Sequence, residues 1–115
     1  MREHVKVNRI VSEFMNFFES YHIHRYTMDL SIAEDKLATS VIKFTGKRAH
    51  LPQRFIDDLD LLNGPRQVEF EYYYEDLLGS RDDSFSIEIL SASIDYVTYT
   101  VTDVGFEILI ERVHQ

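Results

Sequence analysis

The N-terminal stretch, residues 7–21, constrains the fold most, because it forms one broad apolar face at helical spacing. At 100° per residue, the apolar side chains share one side: Val7, Ile10, Val11, Phe14, Met15, Phe17, Phe18 and Tyr21. The polar side chains fall on the other: Lys6, Asn8, Arg9, Ser12, Glu13, Asn16, Glu19 and Ser20. The face is wider and richer in phenylalanine than a coiled-coil seam. It therefore predicts an amphipathic helix that covers a sheet.

The next stretch predicts that sheet, because two runs in it alternate with a period of two. The first run has an apolar side chain at every second position: Tyr26, Met28, Leu30 and Ile32. After a polar turn at residues 33–36, the second run places one face at Ser40, Ile42 and Phe44. Alternation on both sides of a polar turn is typical of a β-hairpin. We expect this hairpin near residues 24–45.

The C-terminal part predicts a second hairpin, near residues 94–113. A run at Phe85, Ile87 and Ile89 alternates like a strand. A second run alternates out of phase with it: Ile94, Tyr96, Thr98 and Thr100. The phase shift indicates a bulge or break near residues 90–93. A tight turn at residues 103–105 then leads into a last strand with Phe106, Ile108 and Ile110 on one face.

Between the hairpins, residues 51–64 predict a short helix. Pro52 suits its first turn, and Phe55, Leu59 and Leu62 share a face. Residues 65–79 fit either a strand or a helix, and Pro65 before and Gly79 after the segment favour the helix. The predicted fold is one α+β domain over residues 1–115. It has an antiparallel sheet of about four to five strands, with the N-terminal helix and one or two central helices packed on one face.

Composition excludes several classes of site and compartment. The chain of 115 residues has no cysteine, so disulfides, thiolate catalysis and cysteine-ligated metals are excluded. No apolar run approaches the length of a membrane span, and the N-terminus lacks the apolar core of a secretory signal. No Gly-rich phosphate loop or nucleophile motif is present. We expect a cytoplasmic protein without a cofactor and without a membrane partner.

Charge is distributed unevenly along the chain. Residues 1–50 contain eight basic and six acidic residues, whereas residues 51–115 contain four basic and fourteen acidic ones. The basic stretch has no acid between Lys36 and Ile56: Lys36, Lys43, Lys47, Arg48 and Arg54. Because the whole protein is acidic and has no nucleic-acid recognition motif, nucleic acid is not an expected partner. The basic stretch is better suited to contacting the protein's own acidic half, within or between chains.

Two clusters could bind a metal ion. His22 and His24 would point to the same side of an extended chain, with Glu19, His4 or His50 as a third ligand. Two imidazoles alone do not make a site, so they stay weak candidates. Three carboxylates lie on one turn of the short helix: Asp57, Asp58 and Asp60. Their simpler interpretation is the solvated side of an amphipathic helix.

The densest aromatic cluster lies within the acidic half. Tyrosine combines apolar area with a hydroxyl group, which favours it at interfaces. The candidate interaction residues are Glu69, Glu71, Tyr72, Tyr73, Glu75 and Asp76. They favour a non-enzymatic interaction or regulatory module. Its expected partner is a protein, either another protein or a second copy of itself in a homodimer. The alternative is a small enzyme or ligand-binding domain using His22, His24 and nearby carboxylates, with or without a metal.

Overall fold

The computed structural model describes residues 2–63 and 87–114. The helices in these residues are α1 (Glu3–Ser20), α2 (Gln53–Leu61) and α3 (Ile87–Ser91). The strands are β1 (Tyr26–Ser31), β2 (Thr39–Lys47), β3 (Tyr96–Val101) and β4 (Gly105–Val113). Segment 65–79, for which helix and strand compete in sequence, lies outside the described residues. The architecture is the expected α+β fold.

All four strands form one antiparallel sheet in the order β1-β2-β4-β3. The first hairpin pairs β1 with β2, from Tyr26 opposite Gly46 to Ser31 opposite Val41. The second pairs β3 with β4. Both predicted hairpins are confirmed. The C-terminal strand β4 joins them by pairing along the whole of β2, so β1 and β3 are the outer strands among the described residues.

One face of the sheet is buried beneath the helices. Its central side chains are almost inaccessible: Ile42, Phe44, Ile108 and Ile110. The ring of Phe44 lies 5.3 Å from that of Phe14 and 5.1 Å from that of Phe18, both on α1. Phe55 of α2 stacks on Phe17 at 5.1 Å. The broad apolar face of the N-terminal helix therefore covers a sheet, as predicted.

A close approach between β2 and β4 depends on two glycines. A Cβ atom on Gly46 would lie 2.5 Å from the Phe106 ring, so the ring can cross the strand only over a glycine. A Cβ atom on Gly105 would lie 2.2 Å from the Gly46 carbonyl oxygen. The predicted turn before Gly105 is closed by the Thr102 N–H, which donates to the Gly105 carbonyl at 2.9 Å.

The predicted second helix is confirmed. The strand predicted at residues 85–89 is wrong at residues 87–89, which the structure describes. Helix α2 buries the predicted face, Phe55 and Leu59, with Leu62 just beyond its end. Residues 87–91, in contrast, form the short helix α3. Ile89 and Leu90 are adjacent and both buried, which a helix permits and a strand with one covered face does not. The Ala92 N–H donates to the Glu88 carbonyl, as in a helix.

Helix α1 is buried over a wider arc than its apolar face predicts. Lys6 is 4% exposed and Glu13 is fully buried, although the wheel places both on the polar side. They lie at the margin of the apolar face, beside Ile10 and Phe17, so a modest widening of the contact covers them. Met15, expected in the apolar face, is half exposed.

A buried ion pair joins the start of α1 to the end of β4. Arg112 Nε donates to both carboxylate oxygens of Glu3, at 3.0 and 3.1 Å, and its Nη1 donates to the Ser93 carbonyl at 2.6 Å. The Ser40 hydroxyl donates to Glu3 at 2.9 Å and accepts from the Ala33 N–H at 2.9 Å. These bonds compensate for burying the two charges.

Candidate interaction edge of the sheet

Within the described residues, strand β1 has backbone groups along one edge of the sheet that pair with no other strand. The Arg48 N–H donates to the Val104 carbonyl at 2.9 Å, which continues the pairing of β2 with β4. Even-numbered residues of β2 therefore bond to β4, and odd-numbered ones bond to β1, because an antiparallel strand alternates between its neighbours. The β1 residues bonded to β2 are Thr27, Asp29 and Ser31. The backbone N–H and C=O groups that point to the open edge belong to Tyr26, Met28 and Leu30.

Four of the six residues of this β1 edge are exposed. Thr27 and Asp29 are exposed, and the side chain of Met28 is 45% exposed although it points to the same side as the core. Tyr26 and Leu30 are half-buried. Within the described residues, no other element donates to or accepts from the outward backbone groups of β1. An open edge with apolar side chains on it is a template for another strand.

A groove lies at the start of the β1 edge. It has a volume of about 700 Å³ and is lined by His24, Arg25, Tyr26, Thr27, Thr45, Gly46 and Lys47. Arg25 directly precedes β1 and Lys47 ends β2, so two basic side chains flank the groove. The groove therefore suits an acidic side chain of a chain bound along β1.

The residues that lead into β1 form a helix-ending turn. The Ile23 N–H donates to the Phe18 carbonyl and the His22 N–H to the Glu19 carbonyl, both at 2.9 Å, which is the Schellman pattern. His22 occupies the left-handed position, with φ 57°, where glycine is most common. Arg48 Nη1 donates to the His22 carbonyl at 2.9 Å. The extended backbone on which the His22–His24 metal hypothesis depends is thus absent at His22.

The histidines themselves do not gather into a metal site within the described residues. His24 Nε2 lies 2.8 Å from the Glu19 carboxylate, and both side chains are largely exposed. Glu19, one of the three proposed third ligands, therefore does approach His24. No group of three or more His, Asp or Glu side chains in residues 2–63 and 87–114 is arranged to hold a metal ion.

The three carboxylates of α2 have structural partners. The Tyr21 hydroxyl donates to Asp58 at 2.6 Å, and the Tyr99 hydroxyl donates to Asp60. Asp57 accepts a hydrogen bond from Gln53 on its own helix at 3.0 Å. Asp58 therefore tethers α2 to the end of α1, and Asp60 tethers it to β3.

These tethers change the acidity of the tyrosines. Burial, and then the hydrogen bond to Asp58, raise the pKa of Tyr21 far above its ordinary value of 10.0. The hydrogen bond to Asp60 is the main cause that raises the pKa of Tyr99. Burial raises the pKa of Tyr26, and the nearby Glu19 carboxylate adds to the effect. All three hydroxyls stay neutral at physiological pH.

Part of the basic stretch does contact the acidic half of the chain. On the face of the sheet opposite the buried Ile42 and Phe44, Lys43 Nζ lies 3.5 Å from the Glu107 carboxylate. Both side chains are about half exposed, so this pair contributes little to stability.

The predicted interaction residues lie outside the described part of the chain: Glu69, Glu71, Tyr72, Tyr73, Glu75 and Asp76. What sequence reasoning missed is the β1 edge. Its local pattern predicts a strand but not its place in the sheet, which depends on the pairing of β4 with β2. One local signal was available: the charged Asp29 in the middle of the run, which is typical of an edge strand.

Comparison of the chain with models of known protein families, with curated proteins and with solved structures finds no match. No helix within residues 2–63 and 87–114 is long and apolar enough to cross a membrane.

Proposed function

We propose that the protein is a non-enzymatic interaction module that binds a protein partner by adding a strand to the β1 edge. The observation that carries the proposal is the row of outward backbone groups at Tyr26, Met28 and Leu30, beside an exposed Met28 side chain. In strand addition, main-chain hydrogen bonds supply affinity and alternate side chains supply specificity.

Specificity comes from both sides of the β1 edge. On the helix-covered side, Tyr26, Met28 and Leu30 offer apolar contacts to every second residue of the bound strand. On the other side, Arg25 and Lys47 flank the groove and favour an acidic residue. The expected partner is an extended segment with alternating apolar residues and an acid near one end.

The acidic, tyrosine-rich residues from Glu69 to Asp76 are proposed as a second contact surface. Their support is the composition of the acidic half, which concentrates tyrosine and carboxylate side chains in one short segment. A partner that used this surface would be bound through charge and aromatic contact rather than through backbone pairing.

A proline at position 28 tests the use of the β1 edge. The Met28 N–H points to the open edge, so Met28→Pro removes a donor that the sheet itself does not use, and proline is tolerated in edge strands at such positions. Met28→Ala is the matched control, since it shortens the same side chain and keeps the N–H. Circular dichroism checks that both variants keep the fold.

The binding measurement is selection of peptides from a random library on immobilised wild-type protein, followed by affinity measurement on the variants. We expect enriched peptides with alternating apolar residues, which bind the wild type most tightly and Met28→Ala more weakly, because an apolar contact is lost, and which do not bind Met28→Pro. Peptides that bind Met28→Pro equally well but fail on the triple reversal of Glu69, Glu71 and Glu75 to Lys would assign binding to the acidic surface. Failure to enrich any peptide, in a protein that also stays monomeric, would contradict the proposed function.

A further inference from the structure

We infer that the strand bound at the β1 edge is β1 of a second copy of the chain, paired antiparallel about a two-fold axis through Thr27. This inference rests on the proposed function and names the partner for the same edge. The product is a continuous eight-stranded sheet, because each copy contributes four strands. A two-fold contact of this kind closes on itself and stops at the dimer.

Backbone geometry limits the pairing of two β1 strands about a two-fold axis to three registers. The outward hydrogen-bonding groups are those of even-numbered residues, so Tyr26, Met28 and Leu30 must face even-numbered residues of the second copy. The axis then passes through Thr27, Met28 or Asp29 if the short strands are to overlap. Side-chain chemistry decides among these three.

Charge selects the register with Thr27 on the axis. An axis through Asp29 places two carboxylates directly opposite each other, which is unfavourable. An axis through Met28 places each Asp29 opposite a Thr27. An axis through Thr27 places each Asp29 opposite Arg25 of the second copy, so the dimer gains two cross-strand pairs of opposite charge. Arg25 and Asp29 have no side-chain partner among the hydrogen bonds and ion pairs of the described residues.

The same register matches the apolar side chains. Tyr26 of each copy lies opposite Met28 of the other, and these two residues exchange both backbone hydrogen bonds. A methionine sulfur beside an aromatic ring is a favourable contact. The pairing covers Met28, whose exposure of 45% is unusual for a side chain on the core side of a sheet. At the axis, Thr27 lies opposite Thr27, a favourable pair on the outer face.

Single cysteines test the register directly, because the chain has no cysteine of its own. Residues opposite each other without shared hydrogen bonds have Cα atoms about 4.5 Å apart, which a disulfide can span. Thr27→Cys therefore places two thiols within bonding distance across the axis. Thr98→Cys is the matched control, since Thr98 is also an exposed threonine in the middle of an edge strand, β3.

We expect Thr27→Cys to form a disulfide-linked dimer at least about tenfold faster than Thr98→Cys under mild oxidation in dilute solution, because the dimer holds its thiols at high effective concentration. Non-reducing gels measure the rates. Equal rates for the two variants overturn the inference. If the rates are equal but peptides still bind wild type and not Met28→Pro, the partner is another protein and the proposed function stands. If the rates are equal and no peptide distinguishes wild type from Met28→Pro, the dimer and the proposed use of the β1 edge both fail.

A charge swap tests the Arg25–Asp29 pairing without cysteines. Asp29→Arg and Arg25→Asp each create two like-charge pairs in the dimer, so we expect each to raise the dimer dissociation constant about tenfold or more. The double variant restores opposite charges and should recover dimerisation. Sedimentation equilibrium measures the constants. A double variant as weak as the singles contradicts this register.

Discussion

The two edges of the sheet, β1 and β3, have equal length but different surroundings. Each has six residues and, in the part of the chain that the structure describes, pairs with a single strand. On the side that faces the helices, Val97 in β3 is 2% exposed, whereas Met28 in β1 is 45% exposed. At β3, the covered edge, the helices bury this face of the sheet, and at β1 they leave part of it open. Under the proposed function, the position of the helices, more than the strand sequence, determines which edge a partner uses.

Side-chain contacts explain why β3 is the covered edge. The Tyr99 hydroxyl binds Asp60 of α2, and Arg112 binds the Ser93 carbonyl just before β3 begins. At β1, the corresponding contact is the ring of Tyr26, which lies 4.6 Å from Phe18 of α1 at one end of the strand. Beyond Tyr26, the helix-facing side of β1 is only partly covered.

Removing the arginine that supports the covered edge should have the largest effect. Arg112→Leu leaves the Glu3 carboxylate buried without its main partner, and we expect it to cost about 3–5 kcal/mol of the free energy of unfolding. Urea denaturation measures the loss. The double variant Glu3→Leu/Arg112→Leu removes both charges and should be closer to wild type than Arg112→Leu. If the double variant lost as much free energy of unfolding as Glu3→Leu and Arg112→Leu lose together, this explanation would be contradicted.

Matched truncations should separate the two edges. Val97→Ala removes side-chain volume from a buried site, so we expect a loss of roughly 1–3 kcal/mol. Met28→Ala should cost less than about 0.5 kcal/mol at concentrations where the protein is monomeric. Thermal or urea unfolding in dilute solution provides the comparison. Equal losses would mean that β1 is as well covered as β3.

The tyrosine tethers of α2 should weaken in alkali. The pKa values of Tyr21 and Tyr99 are raised above 10.0 in the folded state, so folding favours their neutral form. The stability that they contribute is complete below pH 10 and is lost as the pH rises through their folded-state values. We expect Tyr21→Phe and Tyr99→Phe to be less stable than wild type at neutral pH but to lose less stability above pH 10. If the stability of wild type and of both variants changed with pH in the same way, the tethers would be shown not to form.

The smallest change is expected where α1 ends and the chain turns towards β1. His22 has a left-handed backbone, which glycine adopts without steric cost. His22→Gly should therefore stabilise the protein by about 0.5 kcal/mol, the strain relieved being partly offset by a more flexible unfolded chain. Thermal unfolding measures the gain, and His24→Gly is the control. A loss of stability in His22→Gly would show that the imidazole has a structural role.

Local pattern predicts the elements of this fold well and their surroundings poorly. The two hairpins follow from period-two alternation and α2 follows from Pro52 and its apolar face, because each depends on neighbouring residues. The error at Ile87 and Ile89 arises because a short apolar run fits a strand or a helix, and tertiary packing decides between them.

The ion pair and the β1 edge depend on contacts between distant residues. Glu3 and Arg112 are 109 positions apart, and neither has a local pattern that marks it as buried. The place of β1 at the edge follows from the pairing of β4 with β2, which alternation cannot show. The Asp58 and Asp60 tethers likewise depend on where α2 lies against Tyr21 and Tyr99.

Hydrogen exchange of the β1 amides as a function of protein concentration tests most directly whether β1 pairs with β1 of a second copy. In the Thr27-centred dimer, the N–H groups of Tyr26, Met28 and Leu30 donate to the second copy. We expect these amides to exchange rapidly in dilute protein and slowly in concentrated protein, while the Val97 amide on the covered edge stays constant. Exchange at Tyr26, Met28 and Leu30 that does not change with concentration would contradict the Thr27-centred dimer.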